Sequence, residues 1–263
     1  MKLVAFKDNH FYFDRDVCPD DSSFHNPVHY HDLYEIYFIT EGSCDYFIDS
    51  RSYHLVPGDL VLIPEGIIHN TVYHNTGHSR MLINCARRYI PAAVQLKGYL
   101  YRNPAITGEI REIFETIRQE YTHPDRWSED AIACRLKLLF YLLARHENAC
   151  SFESECNETV TRAVAFLQQH FTEDVSLTDM ARYTAVSPEH FSRLFKKETG
   201  FGFREYLNLL RLQKAEQLLK QFREATVAEI AAECGFADSN YFSVKFKKMY
   251  GISPKKLQRP AEG

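Results

Sequence analysis

Phe191-Ser192-Arg193-Leu194-Phe195-Lys196-Lys197-Glu198-Thr199-Gly200 returns 51 residues later as Phe242-Ser243-Val244-Lys245-Phe246-Lys247-Lys248-Met249-Tyr250-Gly251. In both copies two phenylalanines stand four residues apart, a lysine pair follows, and a glycine closes the stretch. That is the pattern of a short amphipathic helix with a C-terminal stop. A second matched helix precedes each copy, carrying Leu177, Met180 and Ala181 in one case and Val227, Ile230 and Ala231 in the other. Ser176 and Thr226 stand where they can cap those helices. Ser187 caps the next helix with Pro188 at its first position, and Asp238 or Ser239 does the same in the second copy. Ala181 and Ala231 are small where two helices cross, and Thr184-Ala185-Val186 and Cys234-Gly235-Phe236 supply the turns. Each unit reads as a helix-turn-helix.

An inward stripe of Phe191, Leu194 and Phe195 leaves Glu189, His190, Ser192, Arg193, Lys196 and Lys197 to face outward. In the second copy Phe242 and Phe246 point inward, leaving Ser239, Asn240, Ser243, Lys245 and Lys247. Asparagine pairs bidentately with adenine and arginine with guanine, while lysine mainly neutralises phosphate. Double-stranded DNA is the partner these side chains suit. The plainer alternative is an all-α interaction domain with lysines on a solvated face, but a repeated turn, cap, aromatic and lysine pattern is more specific than amphipathicity alone. Charge distribution agrees. The net charge is −4, yet from Asn157 onward there are 16 basic and 13 acidic residues, against 15 and 22 in the remainder. Basic residues gather where phosphate is expected.

The motifs Ala231-x-x-Cys234-Gly235-Phe236, Tyr241-Phe242-x-x-x-Phe246-Lys247 and Gly251-x-Ser253-Pro254 make the segment from Thr159 to Lys256 resemble the DNA-binding domain of the AraC/XylS transcription regulators. The resemblance implies two helix-turn-helix units joined by a long helix, here Arg204 to Phe222, which presents both recognition helices to successive major-groove segments on one DNA face. Val244 departs from the family pattern, standing where a polar groove residue often sits. The first recognition helix, with His190, Ser192 and Arg193, is therefore expected to read bases, and the second to act more through phosphate.

With 263 residues the chain has room for another domain. Ile36–Ile39, Tyr46–Ile48, Leu60–Ile63 and Met81–Asn84 are β-branched or aromatic runs separated by turn chemistry at Glu41-Gly42-Ser43, Asp49–Ser52, Pro57-Gly58-Asp59 and Asn75-Thr76-Gly77. They predict an antiparallel sandwich or small barrel. The period then becomes helical, through Ile110, Ile113, Phe114 and Ile117 and, after a capping start at Ser128-Glu129-Asp130, through Ile132, Leu136, Leu139, Phe140 and Leu143. A hairpin through His123-Pro124-Asp125 joins the two helices. The expected class is a multidomain α+β chain: a barrel over residues 1–90, a helical dimerisation segment over 91–147, a polar linker over 148–158, and an all-α DNA-binding domain over 159–260. Its two helix-turn-helix units fall at about 176–197 and 226–248.

His29-x-His31-x-x-x-Glu35 ahead of Gly42, followed by Gly58-x5-Pro64-x-Gly66-x-x-His69, resembles the two motifs of the cupin barrel. His29, His31, Glu35 and His69 can ligate a divalent metal such as Mn, Fe, Ni or Zn. With the hydroxyls of Tyr34, Tyr37 or Tyr46 they can equally hold a polyol such as a sugar. Barrels joined to AraC-type DNA-binding domains often keep these residues without using a metal, so no cofactor is required. Three readings follow: a regulator whose barrel senses a sugar or related polar metabolite, a metal-dependent cupin enzyme with an accessory helical domain, and a regulator whose barrel only dimerises. The fused DNA-binding region favours the first, a non-enzymatic homodimer with RNA polymerase as a further partner. Seven scattered cysteines without a CxxC pair read as reduced thiols. The absence of a long apolar run and the early polar turn in Met1–Asp8 suggest a cytoplasmic protein without membrane contact.

Overall fold

Alternation along the strands gives one sheet two different buried faces. The computed structural model describes residues 11–18, 33–49, 51–72, 78–94, 99–146 and 157–259, in two units spanning 1–155 and 156–263. In the first unit the strands are β1 (Phe11–Cys18), β2 (Tyr34–Gly42), β3 (Cys44–Ile48), β4 (Arg51–Leu55), β5 (Leu60–Ile63), β6 (His69–Val72), β7 (His78–Cys85) and β8 (Leu100–Tyr101). They form a five-stranded sheet in the order β1-β7-β2-β5-β8 and a three-stranded sheet in the order β4-β3-β6. All the pairings are antiparallel.

Phe11, Phe13, Ile36, Phe38, Leu60, Leu62, Met81 and Ile83 share one core with α1 (Thr107–Thr122) and α2 (Ser128–Arg145). The ring of Phe38 lies 5.3 Å from that of Phe114 on α1. The alternate residues Tyr37, Ile39, Val61 and Ile63 turn the other way, to pack with Cys44, Tyr46, Ile48, Tyr53 and Leu55 of the smaller sheet. Burial on both faces is why Ile36–Ile39 and Leu60–Ile63 read as unbroken apolar runs rather than alternating ones.

Two details differ from the sequence expectation. The sheet continues beyond residue 90, because Leu100 and Tyr101 pair with Val61 and Leu60; a two-residue strand is too short to show a period. Ser128 also does not cap α2, whose N-cap position is Trp127 without a side-chain cap bond. Buried in the hairpin instead, the Ser128 hydroxyl accepts from the Asp125 amide (2.9 Å) and donates to Glu120 on α1 (2.6 Å). Elsewhere, buried Asp59 takes a two-point hydrogen bond from Arg102 at 2.7 and 2.6 Å. That pair ties the turn at Gly58, which has φ of +99°, to the segment leading into α1.

The second unit contains α3 (Glu158–His170), α4 (Leu177–Tyr183), α5 (Pro188–Thr199), α6 (Phe203–Gln221), α7 (Val227–Glu233), α8 (Ser239–Tyr250) and α9 (Pro254–Gln258). Ser176 and Thr226 form capping boxes with Asp179 and Glu229, and Ser187 accepts from the His190 amide. Asp238, rather than Ser239, caps α8. The two turns match closely: Ala185 and Gly235 both have positive φ, and the Val186 and Phe236 amides bond to Ala181 and Ala231 carbonyls at 3.0 and 2.9 Å. The second turn then holds one more residue, Ala237, before its cap. On α6, Arg211 donates to the Phe171 and Glu173 carbonyls at the end of α3 (2.6 and 2.8 Å). The buried Gln258 amide donates to the Phe222 and Ala225 carbonyls, fastening α9 to the segment between α6 and α7.

Candidate effector cavity and nucleic-acid interface

The inner-face positions of β1, β2 and β7 place Tyr12, Asp14, Asp16, Glu35, Tyr37, Arg80, Leu82 and Asn84 around a cavity of about 330 Å³, completed by Tyr46, His69, Asn70 and Thr71 of the other sheet. Glu35 is 3% exposed. It accepts a hydrogen bond from the Tyr46 hydroxyl at 2.5 Å, and its other oxygen lies 3.6 Å from His69 Nε2. His69 Nδ1 donates to the Ile67 carbonyl at 2.7 Å. Burial, followed by the Glu35 charge, pushes the Tyr46 phenol well above its ordinary value, so it remains a donor.

Tyr37 hydrogen-bonds His78 Nε2 at 2.6 Å. Burial and then the nearby Arg80 push the His78 imidazole down to about 4, against an opposing pull from Asp16, so the ring is neutral at neutral pH. Arg80 in turn donates to Asp14 at 3.3 Å and lies 5.7 Å from the Tyr37 ring centre. Among the described residues the cavity wall is thus mainly hydroxyls, carboxylates and amides, with one guanidinium, one imidazole and one aliphatic side chain.

Of the residues named from sequence, Glu35, Tyr37, Tyr46 and His69 share this cavity. Tyr34 does not, since it projects to the opposite face and packs on the α1–α2 core. His29 and His31 lie outside the described residues. Among the described residues no group of three His, Cys, Asp or Glu side chains could hold a metal. Of the four candidate ligands, Glu35 and His69 are the two among the described residues. Asp14, Asp16, Arg80 and Asn84 escaped the sequence reading. The alternation Phe11-Tyr12-Phe13-Asp14 was the available signal, with its polar positions pointing to a polar interior.

In the second unit, Phe191 and Phe195 bury one side of α5, and Glu189, His190, Ser192, Arg193, Lys196 and Lys197 are all exposed. On α8, Phe242 and Phe246 are buried, Asn240 and Lys247 are exposed, and Ser239, Ser243 and Lys245 are half-buried. Ser243 turns its hydroxyl back to the Ser239 carbonyl at 2.9 Å. The Lys245 ammonium sits 5.2 Å from the centre of the Tyr241 ring, whose hydroxyl accepts from Asn208. Tyr241 and Val244 stand exposed beside them, at 46% and 67%.

An AraC-like ligand binding domain matches residues 15–138, and a helix-turn-helix domain matches residues 180–260. The chain belongs to the AraC family of transcription regulators. Within that family it is 26% identical over 253 residues to the HTH-type transcriptional activator RhaS of Escherichia coli strain SE11, covering 90% of this chain and 89% of that one. Among solved structures, the C-terminal domain of AraT, a response regulator from Geobacillus stearothermophilus, is 37% identical over 40% of this chain and 88% of its own, with a TM-score of 0.38. ToxT from Vibrio cholerae O395 is 16% identical, covering 95% of this chain and 97% of its own, with a TM-score of 0.40. As an AraC-family regulator this chain pairs a ligand-binding domain with a DNA-binding domain and is not an enzyme, which sets aside the metal-dependent cupin enzyme reading. No helix among the described residues is long and apolar enough to cross a membrane.

Proposed function

We propose that this chain is a cytoplasmic, ligand-responsive regulator in which a sugar or related polar metabolite occupies the cavity between the two sheets and changes how the helix-turn-helix units engage DNA. The observation that carries this reading is the cavity wall, where Leu82 is the lone aliphatic side chain among the described lining residues. Such a wall suits a ligand that exchanges many hydrogen bonds, with the Tyr37 and Tyr46 rings offering flat faces to C–H groups. Three carboxylates against one arginine among the described lining residues also favour a neutral polyol over a sugar acid. Glu189, His190, Ser192, Arg193, Lys196 and Lys197 would meet DNA from α5, and Ser239, Asn240, Ser243, Lys245 and Lys247 from α8.

The outer face of α2 supports a homodimer. Trp127, Cys134, Leu138 and Tyr141 recur there at helical spacing, and all four are exposed. Leu138→Glu is expected to shift the protein toward monomer in analytical ultracentrifugation. The RhaS name makes activation, with RNA polymerase as a partner, the favoured outcome.

Coupling requires the effector to bind one DNA-engaging arrangement better than another, typically by about 1–3 kcal/mol. Titration calorimetry with a panel of sugars and polyols, run with and without selected operator DNA, tests it. Coupling predicts two affinities that differ about 5- to 150-fold. Equal affinities would remove the coupling, and saturation by a sugar acid alone would remove the preference for a neutral polyol.

A further inference from the structure

Val244 occupies the place in the second recognition helix that Arg193 occupies in the first, and at 67% it is the most exposed of the large apolar side chains in this unit. No packing among the described residues of the unit explains it. Phe242 and Phe246 already anchor α8 in its core. A β-branched residue at an exposed helical position is slightly unfavourable for the helix and leaves its methyls in water.

Its neighbours on the helix surface are informative. Asn240 lies four residues before it, Tyr241 three before, Lys247 three after and Lys248 four after, so an apolar spot is framed by an amide and cations. Tyr241 is steadied by Asn208 and Lys245 and forms a firm rim to that spot. Lys255, Lys256 and Arg259 on and just after α9 add further positive charge to the same unit. A surface of this composition complements a groove lined by phosphate. Along the major-groove edges of the four base pairs, the C5 methyl of thymine is the apolar feature.

We propose that Val244 reads a thymine by packing its methyls on the C5 methyl, so that α8 contributes sequence information as well as phosphate contacts. The inference rests on the proposal above that α8 faces DNA. It replaces a helix that only anchors with one that reads through shape and apolar contact, while α5 reads through hydrogen bonds.

The test uses the full-length protein and a site selected from random duplexes. Each thymine of the selected site is replaced in turn by deoxyuridine, which keeps base pairing and the O4 acceptor and removes only the methyl. At one position the wild-type protein is expected to lose about fourfold in affinity, the worth of one buried methyl. Val244→Ala, which favours the helix, should lose a similar factor on the thymine site and be indifferent to that same replacement. A wild-type protein insensitive to every thymine-to-uracil change overturns the proposal. So does a Val244→Ala protein that keeps the full thymine preference, the result expected if Val244 instead touches a protein partner. If no sequence is enriched at all, the DNA-facing reading of α8 fails first, and the inference falls with it.

Discussion

The two helix-turn-helix units repeat what holds the motif together and differ in what the motif shows to its surroundings. Both open on a capping box, both bury a pair of phenylalanines, and both recognition helices end on a left-handed glycine, Gly200 at φ +76° and Gly251 at φ +74°. The differences lie outward. Arg193 in the first unit becomes Val244 in the second, and the left-handed residue of the turn changes from Ala185 to Gly235. A β-carbon on Gly235 would stand 2.5 Å from the Thr172 carbonyl oxygen. That backbone is held in place by Arg211, which ties the neighbouring Phe171 and Glu173 carbonyls to α6. Ala185 takes the same local conformation while remaining exposed. The glycine answers a neighbour, not the turn.

The largest expected effect comes from breaking that asymmetry. Gly235→Ala should destabilise the second unit by about 3 kcal/mol, combining left-handed strain with overpacking against backbone. Ala185→Gly should change stability by less than about 1 kcal/mol, because relieved strain opposes the greater freedom of the unfolded chain. Urea titration followed through the helical circular dichroism signal would compare them. Equal losses would mean that both turns are constrained alike.

Next come the outward faces. Arg193→Ala should flatten the preference among DNA sites by about 1–3 kcal/mol, whereas Lys247→Ala should weaken all sites alike and lower the slope of log affinity against log salt by about one. Binding titrations on several sites at three salt concentrations separate the two behaviours. If Arg193→Ala leaves site preference intact, α5 is not a reading helix.

The repeated units were legible in the sequence because caps, turns and the helical period are local signals. Ser176, Ser187, Thr226 and Asp238 each act on an amide only two or three residues away. The cavity was half legible. Glu35, Tyr37, Tyr46 and His69 stand within or beside recognisable barrel motifs. Asp14 and Arg80 could be joined only by knowing that β1 pairs with β7, a relation between segments more than sixty residues apart. Ser128 shows the same limit on a smaller scale. Its position suggested a cap, but the approach of Glu120 from the other arm of the hairpin gives its hydroxyl different work. Val244 was visible as a departure from the family pattern, yet only its exposure next to Tyr241 turns that departure into a reason.

The smallest expected effect concerns the capping boxes, where the two units should behave alike. Hydrogen bonds from the Ser176 side chain and then its backbone hold the Asp179 carboxyl below its ordinary 3.8. The Thr226 backbone and then side chain hold Glu229 below 4.5. A carboxylate whose folded pKa is depressed contributes stability that is complete above its unfolded pKa and is lost as pH falls through the folded one. The contribution of Glu229 therefore begins to fade as pH drops below about 4.5 and that of Asp179 below about 3.8, each carboxylate then releasing the N-cap amide that it holds. Ser176→Ala and Thr226→Ala should each cost about 1 kcal/mol at pH 7. The gap between each variant and the wild type should narrow as pH approaches 3, because the hydroxyl and the carboxylate support one another. Urea titrations at pH 7, 4 and 3 would show it. A gap that stays constant in both units would mean that the hydroxyls cap without help from the acids. Narrowing in one unit alone would extend the difference between the units from what they present outward to how their first helices are held.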